Sequence, residues 1–352
     1  MPAKGNHAGA LLTVAVLGIT CRRVGLRHAA AVSPSEQFRP WSVAMSDALY
    51  GEDGFFLRHR PAQHFRTSVT ASPVFAAAVR RLAGFVDDAL GHPDPFDVVD
   101  VGAGGGELLS ALPDVPARWR LIGVELGPDP GDPGLRWLGA VPPLEGLLLA
   151  NEWLDDVPLD VLFDDRVVEV RADGTERLGG PAPAEAVQWS RRWWPQGRRV
   201  EVGLTRDRAW AAAVARVRRG LAVAVDYGHV LGDRTTYGDR RPTLTGYRDG
   251  RQVRPAPDGS CDLTAHVALD SCAATAGGHL IRQREALAAL GVDASAPPQS
   301  LSVADPRAYL AQVQAASQAA ELLERRGLGG FGWLLRAVGT TYPPGLEPGA
   351  GT

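Results

Sequence analysis

Lysine is nearly missing from this chain of 352 residues: Lys4 is the only one among 37 lysines and arginines. Net charge is also small, at −3, so there is no field to gather a polyanion, and the arginines read as composition bias and not as a nucleic-acid signature. Cysteine is scarce. Cys21, Cys261 and Cys272 show no paired ligand spacing, which argues against a disulfide framework and a zinc site and suits a reducing cytoplasm. No His/Cys/Asp cluster has metal spacing either, so no metal is expected. We read no internal repeat and no transmembrane span. The apolar stretch from Ala8 to Ile19 follows Lys4 like the core of a signal peptide, but it is too short for a bilayer and lacks a small-x-small cleavage site. Residues 1–40 are therefore read as a disordered or mis-started extension, with a poor targeting peptide as the alternative. Met45 lies too far inside the first element to be a comfortable start.

What is present is an ordinary globular composition, 45% hydrophobic and 22% charged, with one stretch that stands out. In Val98-Val-Asp-Val-Gly-Ala-Gly-Gly-Gly-Glu107 a β-branched run carries Asp100, breaks into Gly102, Gly104, Gly105 and Gly106, and meets a short apolar helix pattern. That is a strand, a glycine turn and a helix start, with which open α/β folds hold nucleotide-like cofactors. Glycine permits positive φ there and lets a ligand approach the backbone. Glu107 stands where the dinucleotide fingerprint has a small residue, and a carboxylate there opposes a pyrophosphate. No Gly-Lys-Ser/Thr follows, so a P-loop is excluded. S-adenosylmethionine (SAM), a sulfonium cation without phosphate, suits this turn better than NAD or ATP.

The run Trp119–Val124 reads as the next strand and ends in Glu125, placed to accept hydrogen bonds from ribose hydroxyls; its other reading is a solvated loop carboxylate. A third run, Gly146–Ala150, feeds into Asn151-Glu-Trp-Leu-Asp-Asp-Val-Pro158, where ligands of parallel sheets collect. A fourth, Gly220–Asp226, leads into Tyr227 and His229. Glu152 and Asp155, three apart beyond a strand, are candidates to contact an acceptor; the alternative is capping the next helix. His229 is read either as a proton acceptor or as a hydrogen-bonding partner of the following segment. Asp262 or Thr264 is expected to cap a helix from about Ala265, leaving His266 toward the site or solvent. Tyr50, Phe56, Thr70 and Ser72 frame the pocket or pack the core. Residues 230–262, rich in Gly, Pro, Asp and Arg, read as a long loop or flap.

Several blocks together resemble the MidA-type SAM-dependent methyltransferases. They are Met45–Tyr50 with Gly54-Phe55-Phe56, Phe65–Pro73, Asp100–Gly104, Ala150–Asp155 with Pro158, Asp226–His229, Asp262–His266 and Gln283–Glu285, in the family's order over roughly residues 41–337. The family includes a mitochondrial enzyme that methylates an arginine of a respiratory complex I subunit during assembly. One departure is the loop Asp100-Val-Gly-Ala-Gly-Gly-Gly106, where relatives commonly have Glu-Leu-Gly-Pro-Gly-x-Gly; another is the short, proline-rich stretch between Glu125 and Gly146. The resemblance implies an α/β, Rossmann-like class I methyltransferase core with an additional substrate-side α+β domain. We expect a framing segment at 41–95, the core at 96–229 with an insertion near 163–203, a flap and helical substrate-side region at 230–340, and a tail at 341–352. Expected catalytic residues are Glu152, Asp155, Asp226 and His229. Expected cofactor contacts are Asp100, Gly102, Gly104, Gly106, Glu125 and Asn151, and expected substrate contacts are Tyr50, Phe56, Thr70, Ser72, Tyr227 and His266. The implied activity is methylation of a protein side chain, arginine by analogy, in the cytoplasm, with no nucleic acid or membrane partner and a homodimer as the assembly. The alternatives are a SAM-binding assembly factor with little or no catalysis, and a small-molecule methyltransferase.

Overall fold

The computed structural model describes residues 37–58, 73–127, 132, 134–237 and 242–349. Its centre is a seven-stranded sheet. In chain order the strands are β1 (Phe96–Val101), β2 (Trp119–Val124), β3 (Arg136–Leu138), β4 (Leu144–Asn151), β5 (Val217–Asp226), β6 (His279–Arg282) and β7 (Gly332–Val338). Across the sheet they run β3-β2-β1-β4-β5-β7-β6. All neighbouring pairs from β3 to β5 are parallel, and β7 runs antiparallel to both β5 and β6. This is the Rossmann-like class I methyltransferase topology expected from the sequence.

Leu147–Ala150 of β4 and Leu221–Val225 of β5 read as unbroken apolar runs because both faces of the sheet are covered. Three helices matter first: α1 (Trp41–Tyr50), α2 (Pro73–Leu90) and α3 (Leu204–Val214), followed by α4 (Leu269–Ala276), α5 (Gln283–Ala289) and α6 (Pro306–Leu323). On one face Phe75, Val79, Leu82 and Val86 of α2 meet Val98, Leu147, Leu221 and Val223. On the other, Trp210 and Ala213 of α3 and Cys272 of α4 meet Val99, Leu148, Ala222 and Ala224. Successive strand residues thus point to opposite layers, as a pleat requires. The order reverses at β1 and β4, so their carboxyl ends open a crevice, the usual ligand position of such sheets.

The remaining chain builds a second layer over that edge. Strands Asp160–Phe163, Arg166–Val170, Glu176–Pro181 and Arg199–Val202 form an antiparallel sheet that also recruits Arg39–Pro40. Helix α1 packs on it through Trp41, Met45 and Leu49. The expected extension at 1–40 lies outside the described residues up to 36, while Arg39 and Pro40 already belong to this sheet.

Several expectations are corrected here. Residues 230–262 are not a plain loop: they hold a helix at Leu231–Tyr237 and a hairpin of Thr245–Arg248 with Arg251–Val253, joined on its other side to Asp262–Thr264. Asp249 and Gly250 both take positive φ at the hairpin turn, the geometry a two-residue Asp-Gly connection favours. Gly179-Gly180-Pro181 ends an edge strand, Glu176–Pro181, that pairs Arg166–Val170. The C-terminal region is not only helical, since β6 and β7 complete the central sheet. Asp262 and Thr264 lie in a strand, and the following helix starts at Leu269, so neither residue caps it.

Candidate functional site

The glycine turn after β1 is held from two sides. Gly102 and Ala103 donate N–H bonds to the Val124 carbonyl, at 2.9 and 3.3 Å, which ties the turn to the end of β2. Gly102 and Gly106 have φ of 73° and 85°, in the left-handed region where glycine carries no Cβ penalty. A Cβ on Gly102 would lie 2.9 Å from Trp153 Cδ1, and one on Gly106 would lie 2.6 Å from Leu135 Cδ1. Gly104 N–H donates to Glu125 Oε2 at 3.0 Å, and Gly105 N–H to Glu107 Oε2 at 2.9 Å.

Three carboxylates therefore surround this turn. Burial, together with the charges of Glu125 and Glu107, pushes the Asp100 carboxyl up to about 8. Burial raises Glu125 as well, with the N–H groups of Leu126, Gly104 and Gly127 pulling the other way. Two of the turn's N–H donors thus already face carboxylates, an arrangement hostile to phosphate and favourable to a cation. A ligand carrying a sulfonium and hydroxyls fits the chemistry of this donor and acceptor set.

The second part of the crevice lies beyond β4 and β5. Glu152 takes a left-handed backbone conformation, φ 50°, which a non-glycine residue adopts at a cost. Its N–H bonds the Val225 carbonyl at 2.8 Å. Asn151 Nδ2 donates to Glu152 Oε1 at 3.2 Å. The turn then closes on Asp226, whose Oδ2 accepts the N–H groups of Leu154 and Asp155 at 2.9 and 3.2 Å. Asp226, one of the expected catalytic residues, is fully buried and holds this turn through its Oδ2. Asp155 Oδ2 accepts from the Tyr227 hydroxyl and, at 2.6 Å, from Thr264 Oγ1. Tyr50 reaches over from α1 and donates to the Asp156 carbonyl at 3.2 Å.

Asp155, Asp156, Asp226 and Asp262 each keep a buried Oδ1 that no hydrogen bond reaches among the described residues. Burial raises the carboxyls of Asp226, Asp156 and Asp262, and the charge of Asp155 is the next cause in each. Such a group of acids, short of donors, is an acceptor for a cation with several N–H groups.

The histidines sit differently. His229 is buried, its ring edge-on to Trp194, and its Nδ1 accepts from Arg234 Nε at 3.0 Å. Burial and the Arg234 charge lower it to about 3, so it is neutral at physiological pH and its Nδ1 lone pair is engaged. That geometry corrects the reading of His229 as a proton acceptor: it anchors Arg234, which also reaches the Trp193 carbonyl and Asp270. His266 is half-buried and meets Tyr227 edge-on at 5.3 Å. Phe56 stacks at a tilt on Tyr50, 5.5 Å away. Thr70 and Ser72 lie outside the described residues.

Four contributors escape the sequence reading: Asp156, Thr264, Arg206 and Phe331, the last 5.5 Å from the Tyr227 ring and just before β7. The Asp-Asp pair at 155–156 was a usable signal; Phe331 and Arg206 had none, because only the topology brings them to this edge. One group with metal-ligand spacing exists among the described residues, Asp87, Asp88 and His92, but Asp87 is already engaged by Arg118 and by Trp119 Nε1 at 3.3 Å.

A protein-family profile described as "Putative S-adenosyl-L-methionine-dependent methyltransferase" matches residues 131–283, a stretch from β3 to the first residue of α5. No curated protein matches the chain. Two solved structures of a superfamily protein from Burkholderia thailandensis, one native and one bound to S-adenosyl-homocysteine, share the fold. Each superposes with a TM-score of 0.69 at 22% identity, over 97% of this chain and 96% of that one.

Proposed function

We propose that this chain is a SAM-dependent methyltransferase of the MidA type whose acceptor is a cationic protein side chain, arginine first among them. Asp100, the glycine turn and Glu125 would hold the cofactor, in keeping with the family profile and with the neighbour crystallised with S-adenosyl-homocysteine. When bound, SAM supplies an electrophilic methyl group. The chain's own residues have the task of aligning a nucleophilic nitrogen with it, which can account for much of the rate.

The observation that carries the acceptor assignment is the donor deficit at Asp155. One oxygen is saturated by Tyr227 and Thr264, while the other is buried and bare. A guanidinium, planar and rich in N–H donors, would fill that deficit and those of Asp156 and Asp262 beside it. Glu152, less buried and held by Asn151, is assigned the proton that leaves the acceptor nitrogen. The protonated acceptor is a poor nucleophile, so acids that orient it and then accept the proton act where charge changes during transfer.

The test is transfer of labelled methyl groups from SAM to proteins of a cell extract, with Glu152→Ala as the blank. Label recovered as methylarginine with the wild type and absent with the variant supports the reading. Label only in small molecules, or none at all from a folded chain that binds SAM, overturns it.

A further inference from the structure

We propose that Arg206 is the positioning residue of the acceptor half of the site: its guanidinium locks the Asp155–Pro158 turn to the Ala265–His266 segment and supplies the fixed positive charge beneath the acids. The inference rests on the reading that these acids receive the acceptor. It goes beyond it by assigning the geometry to a buried residue on a helix outside the acid cluster, bonded only to backbone carbonyls.

Arg206 sits in the first turn of α3 and is 1% exposed. Its Nε donates to the Val157 carbonyl at 3.1 Å, and Nη2 donates to the Asp155 carbonyl. Nη1 donates to the carbonyls of Ala265 and His266, at 2.8 and 3.0 Å. Every acceptor is a neutral backbone oxygen, and they come from two segments more than a hundred residues apart in sequence. The two segments also touch directly, since Ala265 N–H bonds the Asp155 carbonyl at 3.2 Å. Thr205, next to Arg206, donates from Oγ1 to the Pro158 carbonyl at 2.5 Å. The start of α3 is therefore a two-residue bracket for the turn that carries Asp155.

A buried cation without a carboxylate in contact is costly, so its retention needs a reason. Four backbone carbonyls could be satisfied by neutral donors; only a guanidinium does this while carrying charge in a rigid planar fork. The titratable groups that feel that charge are Asp156 from the turn, Asp226 from the end of β5, His229 and His266 beyond it, and Cys272 of α4. Arg206 draws Asp156 and Asp226 downward against their burial, so it holds these acids nearer the charged form an acceptor cation needs.

The test pairs Arg206→Gln, which removes the charge, with Arg206→Lys, which keeps it and loses the fork. Hydrogen exchange by mass spectrometry follows residues 152–158 and 262–268 against residues 96–125. Aspartate carboxyl NMR titration follows the acids. In Arg206→Gln both segments exchange at least about tenfold faster with 96–125 unchanged, and the cluster carboxyls titrate at higher pH. Arg206→Lys loosens the same two segments but keeps the carboxyl midpoints near wild type. SAM affinity, measured alongside, stays within about twofold in both. Unchanged exchange in the two segments, acceleration spread over the whole chain, or failure of both variants to fold would overturn the proposal. If only the glutamine variant fails to fold, the lysine variant decides by whether the two segments loosen. Wild type that binds SAM but transfers no methyl group contradicts the acceptor reading alone, because exchange and titration need no acceptor.

Discussion

The two halves of the crevice are built on different principles. The half proposed for the cofactor, after β1 and β2, comes from about 25 consecutive residues and works mainly with backbone: positive-φ glycines and N–H donors turned toward Glu125 and Glu107. The half proposed for the acceptor, after β4 and β5, is assembled from α1, the 151–158 turn, α3, the end of β5, the hairpin sheet and Phe331 just before β7, and works with side chains. In the first half Glu107 and Glu125 accept backbone N–H groups. In the second half Asp155, Asp156, Asp226 and Asp262 each keep one buried Oδ1 that no hydrogen bond reaches among the described residues, even where the other oxygen is held, as in Asp155 and Asp226. A site that needs to hold one invariant cofactor can be written in local chain; a site that selects an acceptor draws on the whole fold.

The comparison can be broken most forcefully at the glycine turn. Gly104→Asp places a β-carbon at φ 57° and a further negative charge beside Glu107 and Glu125. It should weaken SAM binding about a hundredfold, roughly 3 kcal/mol, as read by calorimetry; unchanged affinity would remove the turn from the cofactor site. In the other half, Asp155→Asn keeps the shape but removes the charge. We expect methyl transfer to fall about a hundredfold in kcat/KM, and transfer within a factor of two of wild type would show that Asp155 is not needed.

The pH dependence of stability sharpens the contrast. Asp100 is raised in the fold to about 8 from an ordinary value near 3.8, so folding binds a proton between those limits. Its contribution is fully present below about pH 4 and is lost as pH rises through 8, with a slope of at most ~1.4 kcal/mol per pH unit. Asp156, Asp226 and Asp262, also raised, add slope of the same sign. Urea unfolding from pH 5 to 8 should therefore show a shallower decline for Asp100→Asn than for wild type; parallel curves would contradict this. Smallest is Tyr227→Phe, which deletes one donor to Asp155. It should cost ~1–2 kcal/mol of stability and leave SAM binding intact, and a loss of SAM affinity would mean that the halves are not separable.

What the sequence discloses follows the same division. β1, β4 and β5 are long apolar runs bounded by glycine or acids, and the glycine turn with Glu125 lies in one stretch, so both were readable. β6 is four residues long and β7 lies beyond a polar helix, so neither looks like part of the sheet that began at Phe96. The hairpin at Thr245–Val253 hid among glycine and arginine, although Asp249-Gly250 was a legible turn signal. His229 looked catalytic because a histidine after a strand commonly is; only tertiary structure reveals Arg234 on its ring nitrogen. Arg206 was invisible for a plainer reason: its partners are main-chain carbonyls, which leave no mark on residue type.

The most direct test of a divided crevice is SAM calorimetry on wild type, Glu125→Ala and Asp155→Asn under one set of conditions. The account predicts micromolar binding by wild type, on the order of −8 kcal/mol, loss of at least about tenfold in Glu125→Ala, and wild-type affinity in Asp155→Asn. No binding by folded wild type, or equal losses in the two variants, would contradict it.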